Sequence, residues 1–170
     1  MQREQISIPK NILYAVLILV FYALQTSLLR SLTFRGYHID LLPCFVAAAA
    51  LLDGPAEGVI TGVMVGMLYD LGYPGLDGMY PLFFLLYGLV AGNLSRSVLS
   101  RNYISALMLT FLEMMVLGVL RFFLYLMPHG ASFGLVLQQT VGGALLTVAF
   151  AFLVYWPMGR ISRRFDARGR

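Results

Sequence analysis

Long uninterrupted runs of apolar residues constrain this chain more than any other feature of its sequence. Six such segments follow one another, separated by short breaks that contain polar residues, glycine or proline. Their average length is close to the ~20 residues with which an α-helix crosses the ~30 Å hydrocarbon core of a bilayer. The six predicted spans are about 11–29, 41–52, 56–71, 80–94, 103–127 and 133–156. The pattern predicts an all-α, polytopic integral membrane helix bundle.

The composition excludes an ordinary water-soluble domain. Hydrophobic residues make up 59% of the chain, charged residues make up 12%, and the mean hydropathy is +0.80. An average soluble domain is about 45–50% apolar and about 25% charged. Six spans with short loops use nearly all of the 170 residues. We therefore expect a single transmembrane domain over 1–170, without a separate soluble enzyme domain.

The first two segments each have an alternative interpretation. Segment 11–29 is too long for the ~7–15-residue apolar region of a signal peptide and has no clear small-residue cleavage site, so we expect a retained span. The second segment, 41–52, would rise only ~18 Å as a helix. It either begins before Leu41 or is a re-entrant piece joined to the third segment. Pro43 near its start suits a first helical turn.

Basic residues set the expected orientation of the spans. With a cytoplasmic N-terminus, nine basic residues lie on the cytoplasmic side: Arg3, Lys10, Arg96, Arg101, Arg160, Arg163, Arg164, Arg168 and Arg170. Arg30 and Arg35 then fall in outside loops, and Arg121 falls within a span. This bias agrees with the positive-inside rule and predicts that both termini are cytoplasmic. A five-span chain would bury Asp53 and Glu57 in lipid, which is costly.

The basic tail, 157–170, carries five arginines in its last eleven residues. In a soluble protein such a tail would suggest nucleic acid. Beside six spans, the simpler partner is the anionic surface of the membrane. We therefore expect the tail to contact membrane lipids or a filament protein, and we expect no nucleic-acid partner.

A series of glycines at four-residue spacing marks the third span. The four glycines and the aspartate that ends the series are Gly54, Gly58, Gly62, Gly66 and Asp70. Residues i and i+4 lie on one helix face, so these glycines form a face without side chains. Such a face lets another helix approach closely, either within this chain or from a partner. Gly88 and Gly92 form a shorter series on the fourth span.

Asp70, Glu113 and Arg121 are three of the four charged residues within the predicted spans, and the fourth is Glu57 at the start of the third span. Asp70 and Arg121 are expected at similar heights near the outer side, which predicts an intramembrane ion pair. The alternative is that Arg121 extends to the interface while Asp70 faces loop amides. Glu113 lies deeper, about 12 Å from Arg121 along the axis and on another face. We expect it to be a buried polar residue with a structural hydrogen bond.

No motif in the sequence predicts catalysis, a metal site or a cofactor. Cys44, the single cysteine, lies in an apolar run, and His38 and His129 are isolated loop histidines. The glycine-containing loop 72–79 lacks the Lys and Ser of a phosphate-binding loop. No nucleophile–base arrangement is visible. The sequence therefore predicts a protein that is not an enzyme.

Several elements, taken in chain order, resemble the family of the rod shape-determining protein MreD. The first span is followed by a short loop and then by Asp40-Leu41-Leu42-Pro43 and the turn Gly54-Pro55-Ala56-Glu57-Gly58. The glycine series then reaches Gly66-Met67-Leu68-Tyr69-Asp70-Leu71, and a glycine-containing loop leads to Pro81 through Gly92. A basic tail ends the chain. The specific part of the resemblance is confined to residues 40–92.

This resemblance implies a non-enzymatic role in the elongation machinery of rod-shaped bacteria, in the inner membrane. The implied partners are a bitopic MreC-like protein, the MreB filament, RodA and a class B penicillin-binding protein. The implied fold is similar to the substrate-binding subunits of energy-coupling-factor transporters. On this view Gly54, Gly58, Gly62, Gly66 and Asp70 are expected to bind the partner's transmembrane helix.

The fold similarity also supplies an alternative function, the vitamin-binding subunit of such a transporter. A vitamin binder should collect polar and aromatic groups from several outer loops, and these loops are poor in them. Transporter subunits also tend to carry an alanine pair at i, i+4 on the first span. Here Ala15 and Ala23 are eight residues apart. Both departures favour a non-enzymatic scaffold of the elongation machinery over a vitamin-binding subunit.

Overall fold

A computed structural model describes residues 8–29, 39–72, 78–97, 100–126, 130 and 132–166. These residues form seven α-helices and no strand. The helices are α1 (Ile8–Leu24), α2 (Leu42–Asp53), α3 (Pro55–Gly72), α4 (Met79–Ser97), α5 (Tyr103–Arg121), α6 (Phe133–Phe150) and α7 (Phe152–Asp166). α1 and α5 each continue into a π-helical turn, Gln25–Leu29 and Phe122–Leu126. The all-α prediction is confirmed for this part of the chain.

Among the described residues, three helical segments are long and apolar enough to cross a membrane: Ile8–Ser27, Tyr103–Leu124 and Phe133–Phe150. They correspond to the first, fifth and sixth predicted spans. α3 and α4 have 18 and 19 residues, but their glycines and polar end residues lower their mean hydropathy. α2 is apolar and shorter, at 12 residues. The described chain is thus a helical membrane protein, and the count of six spans stays a prediction.

α2 is the centre of the bundle. Every residue from Leu42 to Leu51 is buried. A helix that is apolar on all sides is one that other helices surround, and α2 contacts α1, α3, α4, α5 and α7. Its four alanines, 47–50, keep it thin enough for these neighbours to approach. Because α2 is enclosed by protein, it does not have to match the thickness of the bilayer.

The start of α2 lies inside the bundle. Just before it, the Asp40 N–H donates to Thr147 Oγ1 at 3.1 Å, and Thr147 lies in the last turn of α6. The helix begins at Leu42 and not before Leu41. At its other end it joins α3 through Gly54, whose φ of 97° favours glycine. The second segment is therefore a short buried helix that turns tightly onto the third, and whether it spans the membrane or re-enters stays open.

The sixth predicted span is divided in the structure. α6 ends at Phe150, and Ala151 forms a turn whose N–H donates to Val148 O at 3.2 Å. α7 then continues to Asp166 with Pro157 inside it. The helix continues past residue 156, so much of the basic tail is helical, and the predicted end of the last span at 156 stays a prediction. Val154, Met158 and Ser162 recur at four-residue spacing and face the core.

Candidate functional site

Side chains from four helices meet around Asp53, the last residue of α2. Lys10 Nζ lies 2.8 Å from Asp53 Oδ1, and it lies 3.7 Å from Glu57 Oε1. Ser162 Oγ donates to the same Oδ1 at 2.6 Å, and Tyr14 OH donates to Oδ2 at 2.6 Å. These contacts join α1, α2, α3 and α7. We call this group the Lys10 cluster, and the end of the bundle that contains it the Lys10 end.

The Lys10 cluster is buried although three of its members, Lys10, Asp53 and Glu57, are charged. Lys10 and Glu57 are 7% and 5% exposed. A buried charge is stable only when it is paired and hydrogen-bonded, and Asp53 has three partners. Sequence reasoning placed Lys10 among the cytoplasmic basic residues and did not pair it. The sequence did contain a signal for this pairing. Asp53 and Glu57 lie on either side of the α2–α3 turn, at the same predicted end of the bundle as Lys10.

A second polar group surrounds Asp40 inside the bundle. Gln25 Nε2 donates to Asp40 Oδ1 at 2.7 Å, and the Leu41 N–H donates to Gln25 Oε1 at 3.0 Å. Tyr69 OH donates to Asp40 Oδ2. With the contact between Asp40 and Thr147, this Asp40 cluster links α1, α3 and α6 to the start of α2. Both carboxylate oxygens of Asp40 accept hydrogen bonds from side chains of the same chain, so we interpret the cluster as a support for the fold.

Arg121, at the end of α5, packs against the aromatic residues of α3 and α4. Its Nε donates to Tyr80 OH at 3.1 Å. Its guanidinium lies 5.1 Å from the Tyr80 ring centre and 5.6 Å from that of Tyr69. A cation over an aromatic face within about 6 Å is attracted to the ring. Because Tyr69 also bonds to Asp40, Arg121 is connected to the Asp40 cluster.

The predicted ion pair between Asp70 and Arg121 is not formed. Asp70 Oδ2 accepts the Gly78 N–H at 2.7 Å, in an exposed contact at the loop before α4. This is the loop-amide contact that the alternative interpretation expected for Asp70. Arg121 instead lies over Tyr69 and Tyr80. The two residues are near the same end of the bundle but have different partners.

Glu113 is fully buried near the middle of α5. It lies close enough to Asp40 and Cys44 for electrostatic interaction. Neither carboxyl oxygen has a hydrogen-bond partner among the described residues. The structural hydrogen bond expected for Glu113 is therefore not found in this part of the chain.

The glycines of α3 are covered by α4. A methyl group on Gly62 would overlap the Phe84 carbonyl, and one on Gly66 would overlap Pro81. One on Gly58 would lie 2.7 Å from the Gly88 carbonyl oxygen. The two glycine series therefore pack against each other, which is the internal alternative. A partner helix has no access to Gly58, Gly62 and Gly66 while α4 is in place, and Gly54 is occupied in the α2–α3 turn.

α6 presents a different small-residue face, which sequence reasoning did not single out. Gly134, Gln138 and Gly142 follow at four-residue spacing, and the same face includes Leu145 and Ala149. A methyl group on Gly134 would meet nothing within 4 Å. The Gln138 amide is exposed and has no hydrogen bond to the described residues. We call these five residues the α6 face.

Neither a metal site among the described residues nor a similarity to a known protein assigns a function to these clusters. No group of three or more His, Cys, Asp or Glu side chains in the described ranges is arranged to hold a metal ion. No protein-family model, curated protein or solved structure matches this chain. The contacts above and the sequence resemblance are therefore the basis on which a function can be proposed.

Proposed function

We propose that this chain is a non-enzymatic membrane scaffold of the bacterial cell-elongation machinery. In this role it binds the transmembrane helix of an MreC-like bitopic protein and helps to control cell shape and peptidoglycan synthesis. It crosses the inner membrane six times, with the Lys10 end and both termini in the cytoplasm. MreB, RodA and a class B penicillin-binding protein are further partners that the MreD resemblance implies.

The resemblance supports this proposal because its residues coincide with the structural core. Residues 40–92 contain Asp40 and Tyr69 of the Asp40 cluster, the buried helix α2, the Gly54 turn and the packed glycines of α3 and α4. A resemblance spread over lipid-facing residues would reflect apolar composition alone. Here it includes glycines that touch backbone and acids that hold helices together. These are features of a specific fold.

The observation that carries the partner-binding proposal is the exposed amide of Gln138 on α6. In hydrocarbon, a polar side chain without a hydrogen-bond partner is unfavourable. Transmembrane helices associate through small residues that allow close approach and through hydrogen bonds from amides such as glutamine. The α6 face offers both, with Gln138 between Gly134 and Gly142. We therefore place the docking of the partner helix on α6, because α4 already covers the glycines of α3.

Co-purification from native membranes tests the proposal. The tagged full-length chain should bring down an MreC-like protein. Gly134→Leu should lower the recovery of that partner at least tenfold, because the added side chain projects into open space on the α6 face. Gln138→Leu should lower it by less. Val90→Phe adds bulk to an exposed position of α4 and is the matched control.

The possible results separate the function from the docking face. An MreC-like partner that is retained by Gly134→Leu at the wild-type level would refute docking on α6 but not the scaffold function. A vitamin-transport module in the wild-type sample would refute the scaffold function itself. Most residues of the outer loops on which the vitamin-binding alternative depends lie outside the described residues.

A further inference from the structure

A groove with two arginines lies between α1 and α7, at the Lys10 end. Its volume is about 590 Å³, which is within the ~300–1,000 Å³ of typical small-molecule sites. Its lining includes Leu13 of α1 together with Trp156, Arg160, Ile161, Arg164 and Phe165 of α7. None of its described lining residues is acidic. The groove is therefore apolar along its walls and positively charged.

Helical spacing explains why the charges and the apolar groups lie side by side. Trp156, Arg160 and Arg164 are four residues apart, so they form one row along α7. Ile161 and Phe165 lie in the next row. The Arg160 guanidinium lies 3.8 Å from the centre of the Trp156 ring, which holds that arginine beside the groove. Leu13 on α1 is 44% exposed and faces the same space.

We infer that this groove binds one anionic phospholipid, with its phosphate between Arg160 and Arg164 and an acyl chain along Leu13 and Trp156. Charge complementarity selects this occupant. Basic pockets between transmembrane helices on the cytoplasmic side bind acidic lipid headgroups. An interfacial tryptophan lies at the depth where the headgroup meets the acyl chains. The inference goes beyond the scaffold function and rests on that proposal only for the cytoplasmic placement of the Lys10 end.

The single tryptophan of the chain makes the groove directly observable. The full chain is reconstituted in phosphatidylcholine vesicles that contain a small fraction of bromine-labelled lipid, either phosphatidylglycerol or phosphatidylcholine. Bromine quenches tryptophan fluorescence on contact. Brominated phosphatidylglycerol should quench Trp156 at a fraction about 25-fold lower than brominated phosphatidylcholine does, since each of the two arginines at the headgroup contributes on the order of fivefold.

Charge-matched variants separate a bound lipid from general attraction to the surface. Arg160→Gln and Arg164→Gln should each reduce the preference for phosphatidylglycerol about fivefold. Arg163→Gln removes the same charge from an exposed position that does not line the groove, so it should leave most of the preference intact. Each variant is normalised to its own fluorescence in unlabelled vesicles, because Arg160→Gln also removes the contact with the Trp156 ring.

Two results would overturn the inference. Equal quenching of the wild-type chain by both labelled lipids would show that the groove does not select an anionic headgroup. A loss of preference in Arg163→Gln as large as in Arg160→Gln would show a diffuse surface effect without a defined site.

Discussion

The α3–α4 pair and the α5–α6 pair both have glycine at the contact, but they are packed differently. In the first pair, glycines of each helix touch the backbone of the other, as at Gly62 with Phe84 and at Gly88 with Gly58. In the second pair, Gly118 of α5 meets the side chain of Thr140. The α6 face, which includes Gln138, is also left uncovered. The first pair and the Lys10 cluster beside it are tightly packed, and we call them the frame. The second pair has room for another helix to dock.

Removing the charge of Lys10 should have the largest effect on the frame. Lys10→Met leaves Asp53 and Glu57 buried without their cation, and breaking a buried ion pair in this way costs about 3–5 kcal/mol. The free energy of unfolding in mixed micelles, followed by the loss of helical circular dichroism, measures it. A change below about 1 kcal/mol would mean that Tyr14 and Ser162 satisfy Asp53 by themselves.

Gly62→Ala should be nearly as damaging, at about 3 kcal/mol, the upper end of the usual range for overpacking. Its new methyl group would overlap backbone atoms of Phe84, which cannot rotate away. Gly159→Ala is the matched control, because a methyl group there meets nothing within 4 Å. The control should stabilise the helix by about 0.5–1 kcal/mol. Equal unfolding midpoints for the two variants would contradict the interlocked arrangement of α3 and α4.

Gly118→Ala tests the same chemistry in the second pair and should cost about 1 kcal/mol, the lower end of that range. Here the obstacle is the Thr140 side chain rather than backbone. Threonine is stiff about χ1, so it moves with some cost. Combining Gly118→Ala with Thr140→Ala should recover most of the loss in the same unfolding measurement. No recovery would show that the backbones of α5 and α6 are also closely locked.

Gln138→Leu should change the stability of the isolated chain by no more than about 0.5 kcal/mol, as exposed substitutions usually do. The Gln138 amide makes no hydrogen bond within the described chain. Unfolding of the purified variant, without any partner, is the measurement. A loss above about 2 kcal/mol would show that Gln138 supports the fold, and it would remove the reason to place a partner on α6.

The smallest expected quantity is the coupling between Asp70 and Arg121. Because they have separate partners, the effects of Asp70→Asn and Arg121→Ala should add to within about 0.3–0.5 kcal/mol. A double-mutant cycle of unfolding free energies measures this coupling. A coupling of 1 kcal/mol or more would restore the ion pair that the sequence suggested.

Local patterns in the sequence predicted most of the helices. The apolar runs anticipated α2 within one residue at each end, because helix boundaries follow the breaks at Pro43 and Gly54. They missed the turn at Ala151, which lies inside an apolar run and leaves no mark in hydropathy. The four-residue glycine spacing correctly identified a close helix contact on α3.

The site was less predictable, because its partners are distant in sequence. Asp53 bonds to Ser162 across 109 positions, and Asp40 bonds to Thr147 across 107. Asp70 and Arg121 were paired on estimated height alone. The helices are rotated so that Arg121 faces tyrosine rings and Asp70 faces a loop amide. Height in a bundle follows from counting residues, whereas rotation depends on how all the helices pack.

The sequence by itself determined that this is a helical membrane protein with a side-chain-free face on α3, since hydropathy and four-residue spacing are properties of a single segment. Only the tertiary structure decided that α4 covers this face, that Lys10 pairs with Asp53 and Glu57, and that a small-residue face is left open on α6. The physical reason is that the spacing of residues within one segment is enough to determine whether that segment forms a helix. The choice of its neighbours is a competition among all the faces of the chain for close packing and for the few buried hydrogen-bond partners.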